Sequence, residues 1–193
     1  VGSILQKIPK AQYISDSSLK VEVGKNCIQN DIIKFLENNG YSRTSTVRED
    51  SEYSIRGGII DVFPPGDQNP VRIDFFGDEV DSIRSFDPIN QLSIGNINHI
   101  NFYPGSEINL NDESINLFRS NYRKTFDNRI YDNSLYQSVS DKKRVNGIEQ
   151  YLSLFHDELT SFFNYLEDFL VILDKDYNAV LENKIEDVLD FYN

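Results

Sequence analysis

The chain has 193 residues, of which 39% are hydrophobic, so it can bury a core in one large domain or two small ones. Its net charge of −12 and pI near 4.5 argue against the chain gripping a phosphate backbone, since such binding depends on clustered Lys and Arg. The charge instead favours a locally basic protein partner, or simple solubility. The single cysteine, Cys27, argues against a disulfide framework and is typical of a cytosolic protein.

The sequence lacks the signals of a membrane protein, a nucleotide-binding protein or a metalloprotein. It starts at Val1 and contains no Met, which predicts a piece of a longer protein or a processed chain. There is no secretory signal, and no apolar run approaches the roughly 20 residues needed to span a membrane. Gly24-Lys25-Asn26 lacks the upstream Gly and the Ser or Thr of a phosphate-binding loop, and no Cys or His spacing suggests zinc. We expect no catalytic, cofactor or metal residue here.

The first half of the chain predicts one helix and a small, mostly antiparallel sheet. Alternating residues and short apolar runs predict the strands Leu19–Val23, Tyr53–Ile55, Ile59–Phe63, Val71–Phe76 and Glu79–Phe86. Apolar residues at helical spacing predict a helix over Ile28–Asn38, which Asn39-Gly40 ends. Gly57-Gly58 permits a bulge or a sharp bend between two of the strands.

The second half predicts helices and one buried strand. Asn90–Asn98 is interpreted as a connector, and His99–Tyr103 as a short strand. Asn111 or Asp112 is expected to cap a helix, and a further helix is expected over Asn133–Ser140. The continuous apolar run of residues 169–173 is typical of a strand buried on both faces. A final helix is predicted after residues 174–176, with these residues facing inward: Val180, Leu181, Ile185, Val188 and Leu189.

The densest signal is the predicted hairpin of Val71–Phe76 and Glu79–Phe86. Gly77-Asp78 suits a two-residue type II′ turn, and the resulting register places Asp74 opposite Asp81. One face of the hairpin is apolar; the other carries Arg72, Asp74, Phe76, Glu79, Asp81 and Ile83, with Arg56 close if its strand pairs here. Charge mixed with an exposed aromatic ring is typical of a protein-binding surface. The alternative is a solvated sheet face with Phe76 covered by a loop.

These residues resemble the UvrB-homology module of bacterial transcription-repair coupling factors (Mfd). The resemblance rests on Arg56-Gly57-Gly58-Ile59-Ile60-Asp61-Val62-Phe63-Pro64, on Arg72-Ile73-Asp74-Phe75-Phe76-Gly77-Asp78-Glu79, and on Asp81-Ser82-Ile83-Arg84. UvrB has a stretch similar to residues 56–84, so these residues alone do not separate the two families. The later stretches, Leu117-Phe118-Arg119 and Gly147-Ile148-Glu149-Gln150-Tyr151-Leu152-Ser153-Leu154-Phe155, resemble the coupling factors.

The resemblance implies a mixed α/β fold in which a small domain is inserted into a degenerate RecA-like domain. Residues 19–88 would form the small domain, and residues 1–18 and 89–193 would belong to the two parts of the split domain. In this family the small domain docks onto UvrA, the damage-recognition ATPase of nucleotide excision repair. The residues central to that contact fall on Arg56, Arg72 and Phe76. We expect Asp74, Glu79 and Ile83 at the periphery, because they share the predicted face.

The resemblance also implies that this chain has no catalysis of its own. ATP, Mg²⁺ and translocation would belong to motor domains elsewhere in the parent protein, and other domains would bind RNA polymerase and DNA. The parent's own C-terminal domain would mask the UvrA-binding surface at rest. We expect the protein to lie in the cytoplasm and to make no contact with a membrane. Three alternatives stay open: a scaffold without a partner, the equivalent region of UvrB, and an enzyme that uses carboxylates such as Asp74 and Asp81.

Overall fold

The computed structural model describes residues 5–126, 134–166 and 168–192. The strands are β1 Lys7–Pro9, β2 Leu19–Glu22, β3 Ser42–Arg43, β4 Glu52–Arg56, β5 Ile59–Val62, β6 Val71–Phe76, β7 Glu79–Phe86, β8 Ser93–Ile97, β9 His99–Phe102 and β10 Leu159–Ser161. The α-helices are α1 Ala11–Asp16, α2 Gln29–Asn38, α3 Asp112–Phe126, α4 Ser134–Ser140 and α5 Tyr177–Tyr192, with 3₁₀ helices at Ile148–Leu154 and Phe162–Tyr165. The predicted mixed α/β class is confirmed.

The chain divides into two compact units, Gln12–Asp157 and Val1–Ala11 with Glu158–Asn193. The larger unit contains a six-stranded sheet in the order β3-β4-β5-β6-β7-β8. Its β3–β4 pair is parallel, and the four other neighbouring pairs are antiparallel. Strands β2 and β9 form a separate antiparallel pair. The sheet is therefore a meander of hairpins from β4 to β8, which brings sequence neighbours side by side.

One face of the six-stranded sheet carries the main hydrophobic core. Ile32 and Leu36 of α2 are fully buried in the same cluster as Ile60, Ile73 and Ile83 of the sheet. The four-residue spacing of Ile32 and Leu36 puts them on one side of the helix. Burying each such side chain contributes about 1.5–3 kcal/mol to folding, so this face fixes the backbone of the opposite face.

Two glycine turns shape the hairpins. Gly57 has φ 60° and Gly77 has φ 63°, in the left-handed region that other residues rarely adopt. Gly57-Gly58 is a sharp bend that pairs Arg56 with Ile59. Asp78 is not among the positive-φ residues, so Gly77-Asp78 has the φ signs of the predicted type II′ turn.

The predicted register of the β6–β7 hairpin is right at the turn and wrong beyond it. Phe75 lies opposite Val80 as expected, but the register shifts between Asp74 and Phe75. Asp74 is therefore opposite Ser82, and Asp81 is the extra residue of a β-bulge. Because a one-residue shift exchanges the faces of a strand, the residues of β7 beyond the bulge change sides.

The sheet also continues beyond the predicted boundary at Pro88. The residues predicted as a connector contain β8, which pairs with β7 as the sixth strand. The following strand, β9, pairs with β2 of the same unit. The six-stranded sheet therefore runs past residue 88 to Ile97, and the predicted domain bounds stay a prediction. The split-domain assignment, with its RecA-like second part, stays a prediction.

The smaller unit corrects two further expectations. It contains the β1–β10 pair, and the hydroxyl of Tyr165 donates to the Pro9 carbonyl oxygen at 2.6 Å. The apolar run 169–173 forms no strand, and its side chains are 45–86% exposed. In α5, the residues predicted to face inward include Val180, Ile185, Val188 and Leu189, which are 46–56% exposed. Two-sided burial needs neighbours on both sides, and none of the described residues supplies them.

Candidate protein-binding site

Strands β4 to β7 place a charged surface on the side of the sheet opposite the main core. Directly paired residues share a face, so Asp61 and Arg72 point the same way, as do Arg72 and Arg84. We name this surface the arginine face and define it by six residues: Arg56, Asp61, Arg72, Asp74, Phe76 and Arg84. Four different strands supply them, and the core on the other side holds those strands in place.

Asp61 is the centre of the arginine face. Its side chain is only 1% exposed, and it accepts hydrogen bonds from two arginines. Arg72 Nε donates to Asp61 Oδ1 at 2.7 Å and Arg72 Nη2 to Oδ2 at 2.9 Å, while Arg56 Nη2 donates to the same Oδ2. A buried carboxylate is tolerated only when it is paired and hydrogen-bonded in this way. Asp61 therefore fixes the positions of both arginines.

Arg72 is the more deeply held of the two. Its side chain is 16% exposed, and its guanidinium carbon lies 4.7 Å from the ring centroid of Phe86. Phe86 is itself fully buried, in a small cluster with Val47 and Phe63. The hydrogen bonds to Asp61 raise the pKa of Arg72 above its ordinary value, against an opposing effect of burial. Arg72 is therefore charged and oriented at every pH at which the protein would work.

Arg84 and Asp74 form a second, more exposed pair. Arg84 Nη2 donates to Asp74 Oδ2 at 2.5 Å, and the hydroxyl of Ser82 donates to the same oxygen at 3.1 Å. The two side chains are 36% and 21% exposed. Arg84 Nε is buried and has no hydrogen-bond partner among the described residues. This pair is less completely satisfied than the one at Asp61.

Phe76 stands at the turn end of the arginine face. It is 82% exposed, which rules out the interpretation that a loop covers it. Glu79 lies directly opposite it in the β6–β7 ladder. Phe76 is four residues along β6 from Arg72, so the Cα atoms of the two residues are about 13 Å apart. An aromatic ring held in water on a rigid strand costs solvation free energy unless a partner covers it.

The structure brings together most of the residues that the sequence singled out. Arg56, Arg72, Asp74 and Phe76 lie on one face, with Glu79 at its edge. The placement of Ile83 on this face is wrong. It is 1% exposed and pairs with Ile73 in the core, because the bulge at Asp81 moves it to the other side.

Two members of the arginine face were missed as site residues. Asp61 is a charge inside an otherwise apolar strand, Ile59–Phe63, and that anomaly was the signal for a buried ion pair. Arg84 was missed because the register lacked the bulge. The apolar residues Val80 and Ile83 are three apart, and two core positions of a regular strand are separated by an even number of residues. That odd spacing was the available signal.

Other kinds of site were sought within residues 5–126, 134–166 and 168–192. In those ranges no three His, Cys, Asp or Glu side chains are grouped so as to hold a metal ion. Each helix there is too short or too polar to cross a membrane. The absence of cofactors and the cytoplasmic location stay predictions.

Comparison with known proteins places the arginine face inside a defined family region. Residues 19–108 match the family described as the UvrB interaction domain. The chain is 34% identical to the transcription-repair-coupling factor of Haemophilus influenzae over 179 residues, which cover 92% of this chain and 16% of that protein. Its identity to the coupling factor of Escherichia coli is 33%, over 86% of this chain and 14% of that protein. Its identity to the coupling factor of Bacillus subtilis is 32%, over 91% of this chain and 16% of that protein. The chain thus spans about a sixth of these relatives.

Proposed function

We propose that the arginine face docks onto UvrA, since residues 19–108 match the family described as the UvrB interaction domain and the chain is similar over most of its length to one segment of transcription-repair-coupling factors. The domain has a protein-interaction role in DNA repair. The finer proposal is that it recruits UvrA to stalled RNA polymerase in nucleotide excision repair. Arg56, Arg72 and Phe76 would be the central residues of the docking surface.

The observation that carries this proposal is Phe76, 82% exposed on a strand whose opposite side is buried. Interface hot spots are typically aromatic or arginine side chains that enter pockets of the partner. Phe76 needs no rearrangement to enter such a pocket, because β6 and its turn already hold its backbone. Binding therefore costs little conformational entropy.

The charges indicate what the rest of the partner surface offers. Arg56 is 53% exposed and uses one guanidinium nitrogen for Asp61, so its other N–H groups can donate to a partner carboxylate. Arg72 is mostly covered, so its direct contact with the partner would be small. It would contribute mainly its positive charge and the hydrogen bonds that fix Asp61. Against a chain with net charge −12, a surface of arginines is a local exception that favours an acidic partner patch.

The remaining features of the coupling factors belong to the parent protein as proposals. The ATP-dependent motor, with its Mg²⁺, would lie outside this chain, as would the contacts with RNA polymerase and DNA. Masking by the parent's C-terminal domain would cover the arginine face at rest. This chain would then act as the recruiting module alone, with no catalysis.

Calorimetric titration of the chain against UvrA from the same source tests the proposal. We expect saturable binding by the wild type and loss of most of it in Phe76→Ala. Ile89→Ala is the matched control, because Ile89 is 86% exposed and lies beyond the far end of β7. Absence of binding by the folded wild type would contradict the proposal and favour a scaffold without its own partner.

A further inference from the structure

Arg84 belongs to the arginine face but is not among the three central residues proposed above. It lies directly opposite Arg72 in the β6–β7 ladder, on the strand that follows the Phe76 turn. The bulge at Asp81 puts it there, since it turns Ile83 inward and the next residue outward. Three arginines from β4, β6 and β7 therefore share one surface.

The hydrogen bonds of Arg72 and Arg84 differ in completeness. Arg72 gives two hydrogen bonds to one carboxylate and stacks over Phe86. Arg84 gives one hydrogen bond, from Nη2 to Asp74, and its buried Nε has no acceptor among the described residues. A buried donor without an acceptor is costly, so this side chain gains from any bidentate acceptor that reaches it.

Arg84 is also the more accessible of the two. Its side chain is 36% exposed, against 16% for Arg72, so its terminal nitrogens can reach a partner. Its counter-ion Asp74 accepts from Ser82 as well and would keep that bond if Arg84 turned outward. A small rotation would thus offer Nε and one Nη to an incoming carboxylate as a fork.

The charges of the surface leave room for such a carboxylate. Within the six residues that define the arginine face, the three arginines Arg56, Arg72 and Arg84 outnumber the aspartates Asp61 and Asp74 by one formal positive charge. A partner carboxylate would balance it. Acidic groups at the turn, Asp78 and Glu79, lie at the Phe76 end, so the positive end is the one around Arg84.

We infer that Arg84 is a further partner-binding arginine, which takes a carboxylate of the docking protein while Asp74 serves as its counter-ion in the free state. The inference rests on the proposed docking function. It specifies the partner surface as a carboxylate placed beside an apolar pocket for Phe76. The competing explanation is that Arg84 and Asp74 form a structural pair that only supports the sheet.

The test is titration of the full 193-residue chain against UvrA with variants at both members of the pair. Arg84→Ala should weaken binding about tenfold, as expected for loss of a charge-assisted bidentate contact. Arg48→Ala is the control, because Arg48 is an exposed arginine outside the arginine face. Circular dichroism would show whether the alanine variant folds. If it does not, Arg84→Gln replaces it in the titration, because glutamine keeps part of the aliphatic stem.

Asp74→Asn separates direct contact from structural support. If Arg84 binds the partner, Asp74→Asn frees its guanidinium in the unbound state, so this variant should strengthen UvrA binding when Arg84 is present and not when Arg84 is replaced by Ala. Binding by folded Arg84→Ala within about twofold of wild type, or an equal loss in Asp74→Asn, would overturn the inference. Loss of UvrA binding in Phe76→Ala but not in Arg84→Ala would overturn the inference about Arg84 and leave the docking function intact. Failure of the wild type to bind would overturn both.

Discussion

The two faces of the six-stranded sheet are stabilised by different physics. On the core face, Ile60 and Ile73 are fully buried among apolar neighbours. On the arginine face, Asp61 is as deeply buried but is satisfied by two arginines, and Phe76 a few residues away is exposed. One face therefore carries most of the stability of the domain, and the other carries the charged and aromatic side chains that a partner can contact. Asp61 is where the two meet.

The core face should show the largest effect on stability. Ile73→Ala should lower the free energy of unfolding by about 2–5 kcal/mol, since it opens a cavity at a fully buried position. Urea denaturation followed by circular dichroism measures this directly. A loss under about 1 kcal/mol would mean that Ile73 is not part of a close-packed core.

Asp61 should come next, because it is buried and yet belongs to the arginine face. Asp61→Asn keeps the shape but removes the charge that Arg56 and Arg72 share, so we expect a loss of about 2–4 kcal/mol. The same denaturation experiment applies. The isosteric control is Asp67→Asn, at an exposed carboxylate outside the arginine face. Equal effects of the two variants would contradict the central place of Asp61.

Phe76→Ala should reverse the pattern seen on the core face. Its stability should stay within about 0.5 kcal/mol of wild type, because the ring is exposed. Its affinity for UvrA should fall by about 2 kcal/mol or more, as for an interface anchor. Paired denaturation and calorimetry on one preparation would show the split. A Phe76→Ala variant that loses stability but keeps its affinity for UvrA would contradict the assignment of stability to the core face and of binding to the arginine face.

Arg56→Ala should have a smaller effect on stability than Asp61→Asn. The arginine side chain is 53% exposed, so solvent screens its pairing and the loss should be about 0.5–1 kcal/mol. Arg72 still satisfies Asp61 in this variant. Thermal unfolding of the two variants side by side would test the order, and a larger loss in Arg56→Ala would contradict it.

The smallest effect concerns pH. Hydrogen bonding to Asp61 raises the folded-state pKa of Arg72, so the stability from this charge is fully present at every pH below the ordinary pKa of an arginine. It is lost only as pH rises through the higher folded value. The stability difference between wild type and Arg72→Met should therefore stay constant from about pH 7 to pH 10. A difference that shrinks across this range would show that the pair titrates.

Much of the arginine face could be predicted from period-two patterns and turn residues. Alternation in β6 put Arg72 and Phe76 on one side, and Gly77-Asp78 fixed the turn. The bulge was not predicted, because one inserted residue breaks the pattern without a Gly or Pro to mark it. The same residue displaced Ile83 to the core and brought Arg84 to the surface.

Tertiary pairing explains the other differences. The role of Asp61 depends on arginines from two other strands, so its own segment predicted only an apolar strand. Strand β8 has little apolar alternation and exists because β7 offers it an edge. Conversely, residues 169–173 have the composition of a buried strand but no strand partner among the described residues. Composition predicts what a segment can bury, and pairing decides whether it does.

Photo-crosslinking tests the central claim most directly. A benzophenone amino acid in place of Phe76, and separately in place of Ile89, puts the probe at two sites of nearly equal exposure, 82% and 86%, at opposite ends of β7. We predict that irradiation with UvrA gives a covalent product from position 76 and none from position 89. Equal products from both positions, or a product from position 89 alone, would contradict docking through the arginine face.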